Sequence, residues 1–173
     1  MENFDLYDSA RRLTGRTIAR GEKIPEGLRR VTVHICIFNS RGEMLIQHRH
    51  PEKDVWPDLW DFSVGGGVLA GENTQQAAHR ELLEELGMDY DFETESPALT
   101  TTYSKGFDDI YVIHAEPDPA SLPLQAEEVL AVRWASLQEV LAMIAGGDFI
   151  DYCRPLVEYI FFRSSHRGNF EYD

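Results

Sequence analysis

The chain has 173 residues, with 30 acidic against 16 basic side chains and a formal charge of −14, so its long-range field repels nucleic acids and anionic lipid surfaces. With 43% hydrophobic and 11% aromatic residues it can bury one good core, which makes a single domain over residues 1–173 the expectation. Any phosphate-bearing ligand must then be met by local bases or by bound cations.

The opening MENFDLYDSARR is charged throughout and lacks the apolar stretch of a secretory signal. Runs such as YIFF and HICIF are too short to cross a bilayer, so no membrane partner is expected. Only Cys36 and Cys153 occur, without zinc or disulfide spacing, which fits two small hydrophobes in a reducing cytoplasm.

Arg29 to Asn39 alternates and then becomes continuously apolar, the pattern of a largely buried strand. A Ser-Arg-Gly turn leads to a second strand, Glu43 to Arg49, so the two read as a hairpin. Pro51 to Phe62, rich in Pro, Trp and Asp, reads as a loop with aromatic anchors. A helix follows Gly71, with Asn73 as its cap, Gln76 three residues on and Gly87 as its stop. Strands are expected at Leu99 to Ser104, Asp109 to Ala115 and Val129 to Trp134. Ser136 and Glu139 cap a second helix that Gly146 stops, and Pro155 opens a third, to about Arg163, with Val157, Ile160 and Phe161 on one face. Strands first and helices interspersed later predict an α/β (α+β) fold, a mixed sheet with helices against its faces.

The helix after Gly71 crowds Glu81, Glu84 and Glu85 into an arc of about 100°, beside an apolar face of Ala78, Leu82, Leu83 and Leu86. Like charges at i,i+4 destabilise a helix by a few tenths of a kcal/mol. An acidic solvated face is one reading of them; a hard divalent cation shared by their oxygens is the other. The frame decides. Gly66, Glu72, Arg80-Glu81-Leu82, Glu84-Glu85 and Gly87-Met88 fill every fixed position of Gx5Ex7REUxEExGU, where U is a bulky aliphatic. Seven fixed letters at average composition recur by chance in ~10⁻⁸ of windows.

On that motif, residues 66–88, the chain resembles the Nudix hydrolases, whose box folds as loop, helix, loop on an α/β/α sandwich with a mixed sheet. The resemblance implies Mg2+- or Mn2+-dependent attack of water on a small-molecule diphosphate. It also implies that Glu81, Glu84 and Glu85 ligate metal, with Glu81 or Glu84 sharing metal and base duties. A backbone carbonyl at Gly65 or Gly66 is the implied further ligand, and Arg80 with Glu72 the pair that orients the carboxylates.

Upstream, Leu6 through Trp134 is similar to the branch that contains isopentenyl diphosphate isomerases and their hydrolase-like relatives. Arg49 and Lys53 match positions that bind the diphosphate there, the alternative for both being a solvated loop. The isomerases' catalytic Cys and metal-binding His fall on Gly65 and Gly67 here, which can neither protonate an alkene nor ligate through a side chain. The resemblance therefore implies a hydrolase on an isomerase-like frame, with isomerase chemistry and a non-catalytic ligand sensor as the alternatives. Trp56 and Trp60, with Phe62, can stack on a base or an isoprenoid, or anchor their loop. Asp108, Asp109, Glu127 and Glu128, placed just before strands, are candidates for an extra metal ligand or base, or for ordinary strand-end solvation. His48, His50, His79 and His114 show no paired ligand spacing, and His79 falls on the apolar flank of the box helix. A homodimer is the default expectation for assembly.

Overall fold

The computed structural model describes residues 2–166. Within them nine strands form, β1 (Asn3–Tyr7), β2 (Leu13–Ala19), β3 (Arg30–Phe38), β4 (Met44–Arg49), β5 (Trp60–Asp61), β6 (Val64–Gly67), β7 (Leu99–Tyr103), β8 (Gly106–His114) and β9 (Val129–Ala135). Three α-helices join them, α1 (Thr74–Leu86), α2 (Leu137–Gly146) and α3 (Arg154–Ser165). Strands β3 to β9 make one mixed sheet in which β3 runs parallel to β8 and antiparallel to β6, while β4 pairs with β9 and β5.

The alternation in β3 sorts the two layers. Val31, Val33, Ile35 and Ile37 point into a core with Ala77, Ala78, Leu82 and Leu86 of α1. Cys36 and Phe38 point the other way, to Val140 of α2 and Val157 and Ile160 of α3. One helix on one face and two on the other give the α/β/α sandwich. Such burial, at about 25 cal/mol per Å² of apolar area, holds α1 on the sheet and so fixes where its acidic edge lies.

The caps form as the residues predict. Asn73 accepts from the Gln76 N–H while the Gln76 side chain accepts from the Asn73 N–H, and Gly87 at φ 64° sends its own N–H back to Leu82 and Leu83 carbonyls. Several expectations are corrected. β3 and β4 do pair antiparallel across the Ser-Arg-Gly turn, but only close to it, Phe38 opposite Met44 and the Asn39 N–H on the Glu43 carbonyl, because β3 gives its edges to β6 and β8 and β4 turns to β9 and β5. The second helix includes Gly146, and Gly147 at φ 83° is its left-handed cap. Asp108 and Asp109 lie inside β8, and Trp60 lies in β5. The side chain of His79 is half exposed and meets Asp89 at 2.9 Å. α3 starts one residue before Pro155 and runs two past Arg163.

The N-terminal strands are unanticipated. β1 and β2 pair antiparallel across a turn that the Asp8 carboxylate ties by accepting from the Ala10 and Arg12 N–H groups. Arg11, at φ 60° in this turn, reaches back to the main sheet and forks onto buried Asp109 at 2.8 and 2.5 Å. The hairpin is thereby docked beside the Gly67–Gly71 loop, where Gly71 donates to Asp5 and Ala70 to the Asn3 carbonyl.

Candidate active site

α1 turns its acidic edge toward β6 and β4. Glu81 and Glu85 are one helical turn apart and buried, at 8% and 4% exposure, whereas the Glu84 side chain is 52% exposed. A Cβ on Gly66 would overlap the Glu81 carboxylate, so a glycine there lets the acid lie against the strand. Glu85 accepts one hydrogen bond from a protein side chain, the Gln47 amide at 3.2 Å. Burial, then the charge of Glu81, pushes the Glu85 carboxyl up to about 8. Burial raises Glu81 as well, opposed by its bond from Arg80.

Arg80 organises the edge. Its guanidinium donates to Glu72 at 2.8 and 3.0 Å, to the Gly67 carbonyl at 3.0 Å, to Glu81 at 2.7 Å and to Glu84 at 3.3 Å. Glu72 also accepts from the Leu69 N–H, so one fork ties the loop before the helix to the carboxylate inside it. The Arg80–Glu72 pair is thus formed and reaches the Glu81 carboxylate through Arg80.

The other bases divide by task. Arg49, which matched a diphosphate-binding position, donates to the carbonyls of Val55 and Trp56 and to Asp61 at 3.3 Å and so ties down the loop after β4. Lys53 contacts Glu128, and burial followed by the Arg49 charge lowers its pKa while Glu85 and Glu81 oppose the shift, so it sits within the field of the carboxylates. Backbone bonds from His50 to Glu128 and from Gln125 to Glu85 bring both loops to the same edge. Trp56 is exposed, while the Trp60 ring is stacked 5.0 Å from His48 and lies under the Arg133 guanidinium at 5.2 Å. Among the described residues neither tryptophan has a contact that joins it to Glu81 or Glu85. Glu127 is exposed, Asp109 is engaged by Arg11 and Thr100, Asp108 stands near His34 on the opposite face of the sheet, and Glu128 reaches the edge through Lys53.

Among the described residues no three His, Cys, Asp or Glu side chains form a ready-made metal cage. Glu84 points outward, which leaves two buried carboxylates and the peptide oxygens of β6. That donor set still fits a magnesium-type ion, which keeps waters and takes one or two carboxylates plus substrate phosphates. Two acids buried side by side, one of them with a single amide donor, are otherwise an unbalanced charge.

A model of the NUDIX domain family matches residues 28–152. An uncharacterized Nudix hydrolase of Listeria monocytogenes is 41% identical over 152 residues, which cover 88% of this chain and 90% of that protein. The crystal structure of a Deinococcus radiodurans protein superposes with a TM-score of 0.76 at 26% identity, covering 92% of this chain and 97% of the other. An isopentenyl-diphosphate Delta-isomerase of Citrobacter koseri is 28% identical over 116 residues, 63% of each protein. No helix among the described residues is long and apolar enough to cross a membrane. With the motif, the fold and the relatives in agreement, the chain belongs to the Nudix family and is a hydrolase of phosphorus-containing acid anhydrides.

Proposed function

We propose that this enzyme is a Mg2+- or Mn2+-dependent pyrophosphohydrolase of the cytoplasm, a single Nudix domain over residues 1–173, that cleaves a nucleoside diphosphate derivative or similar small diphosphate. The observation that carries this is the Glu81–Glu85 pair, buried against a strand whose Gly66 leaves room for a carboxylate. Glu81 and Glu85, with a peptide oxygen of Gly65 and with Glu84 at the rim, would hold the ion. Bound there, the ion would neutralise charge on the phosphate oxygens and lower the pKa of a bound water.

The side chains around it have separable duties in this reading. Arg80 keeps Glu81 aimed at β6, and Glu72 keeps Arg80 in place. Lys53, whose charge acts on Glu85, exchanges Glu128 for a substrate phosphate. Release from Lys53 leaves the Glu128 carboxylate free to accept a proton. Arg49 holds the 50–59 loop that carries Lys53 and the exposed Trp56, while Trp60 anchors its far end.

We place the chain with the hydrolase-like members of the isopentenyl diphosphate isomerase branch. Gly65 and Gly67 offer no side chain to protonate a double bond or ligate a metal, and a homodimer is the default assembly. A panel of nucleoside diphosphate derivatives, nucleotide sugars and prenyl diphosphates, read by phosphate release with a coupled phosphatase, tests the reaction. Metal-dependent turnover that falls a hundredfold or more in Glu85→Gln is expected. Turnover of none of them, or equal turnover by the variant, would contradict it.

A further inference from the structure

β6 carries no side chain on either face from Gly65 to Gly67, so its neighbours define two distinct surfaces. Gly66 faces Glu81 on the α1 side, whereas Gly65 and Gly67 face His34 and the Phe4 ring on the other side. The His34 Nδ1 lies 2.9 Å from where a Gly65 Cβ would be. One bare strand thus separates the carboxylates from a second set of residues.

That second set interrupts an otherwise apolar face. Arg30, Thr32 and His34 alternate along β3 with the valines under α1, which puts them on the side of Cys36 and Phe38. Asp108, level with Thr32 in the β3–β8 register, joins them. From Cys36 onward this side is core beneath α2 and α3; at the end beside the glycines it is polar and only partly buried.

Its hydrogen bonding is incomplete. His34 Nδ1 is buried without a partner, and its Nε2 stands 3.9 Å from Asp108, beyond a hydrogen bond. The Arg30 guanidinium lies over the Phe4 ring at 5.2 Å and makes no hydrogen bond or ion pair among the described residues. Arg20, Arg49, Lys53 and Arg80 are all engaged by acceptors. Arg30 is therefore a cation at this edge whose donors, among the described residues, are unassigned, next to an Asp108 carboxylate that burial raises above its ordinary range while the charges of His34 and Arg30 and a bond from Thr101 oppose the shift.

We infer that Arg30, backed by the buried Phe4 ring, forms with His34 and Asp108 the subsite for the moiety attached to the diphosphate, and that it takes a polar group with donors and acceptors, a nucleoside or a sugar, rather than an isoprenoid. The inference rests on the proposal that a diphosphate is cleaved at Glu81 and Glu85. An isoprenyl chain laid here would strip water from a guanidinium, an imidazole and a carboxylate and return no hydrogen bond. A nucleoside or sugar satisfies them, and a site built this way discriminates strongly against analogues that lack the groups. A planar base can also extend the Phe4–Arg30 stack.

Titration calorimetry with Mg2+ tests it, using α,β-methylene analogues of nucleoside diphosphates, of a nucleotide sugar and of dimethylallyl diphosphate. The wild type is expected to bind at least one nucleoside or sugar analogue a hundredfold tighter than the prenyl analogue. Arg30→Gln and Asp108→Asn should each weaken that binding tenfold or more, and should raise KM for the matching substrate with kcat within about threefold, at unchanged Tm. Arg30→Lys, should the glutamine variant fold poorly, keeps the charge without the fork and should give an intermediate loss. Tighter binding of the prenyl analogue, equal binding of all, binding of none, or variants with unaltered affinity would each overturn the subsite. Hydrolysis that depends on Glu85 yet prefers prenyl diphosphates would overturn the subsite alone and leave the reaction standing.

Discussion

Replacing Glu85 by Gln should raise the stability of the metal-free protein while abolishing its activity. The carboxyl is buried against Glu81 with one amide donor, and its pKa is raised from 4.5 to about 8. A folded-state value above the unfolded one means that the native state holds the proton more tightly, so stability is fullest below pH 4.5 and is lost as pH rises toward 8. At about 1.4 kcal/mol per unit, ionising or protonating this group at pH 8 costs up to about 4 kcal/mol, and relaxation brings that nearer about 2. Glutamine keeps the shape and the acceptor for Gln47 without the charge. In chelator at pH 8 its Tm should exceed that of the wild type by roughly 5 °C or more, at about 2–4 °C per kcal/mol for a domain of this size. At pH 5 the two should nearly coincide. Calorimetric scans from pH 5 to 9 would show the gap opening with pH, and added Mn2+ should close it by stabilising only the wild type. A variant less stable than the wild type in chelator, or parallel pH profiles, would refute the view that this acid is an uncompensated charge.

Other consequences can be measured as directly. Gly66→Ala forces a methyl into the Glu81 carboxylate, so hydrolysis should fall at least a hundredfold with the fold retained by circular dichroism. Arg80→Lys removes the fork that joins Glu72, the Gly67 carbonyl and Glu81; Mn2+ affinity followed by electron spin resonance should drop about 10–100-fold. Arg11→Ala strands the buried Asp109 carboxylate and loosens the N-terminal hairpin, lowering stability by about 2–4 kcal/mol in denaturant titrations, with most of it recovered in Arg11→Ala/Asp109→Asn. No recovery would mean that the ion pair is not what docks the hairpin.

The elements that build the candidate active site were legible because their signals are local. Asn73, Gln76 and Gly87 bound α1, the apolar run of β3 marks a buried strand, and the glutamate spacing survives as a buried pair with one outlier. Glu84 departs because the helix packs on Ala78, Leu82 and Leu86, and a 100° step from Glu85 carries it toward water. Arg49 matched a diphosphate-binding position, with a solvated loop as the alternative; its partners here are carbonyls six and seven residues along and an aspartate in a strand, a closure that no periodicity reveals. The N-terminal hairpin escaped notice because β2 is mostly exposed and polar; the Asp8-Ser9 pair was its only turn signal. Arg30 and His34 looked like the polar half of an ordinary alternating strand. Their unassigned donors and acceptor become visible only when the bare face of β6 is set against them.

The most direct measurement is anomalous diffraction at the manganese edge from crystals grown with Mn2+ and a non-hydrolysable diphosphate. The account predicts an ion bound by Glu81 and Glu85 on the Gly66 side of β6, with phosphate oxygens completing its shell. An ion bound elsewhere, or carboxylates that remain paired only with Arg80 and Gln47 while the diphosphate binds away from them, would contradict it.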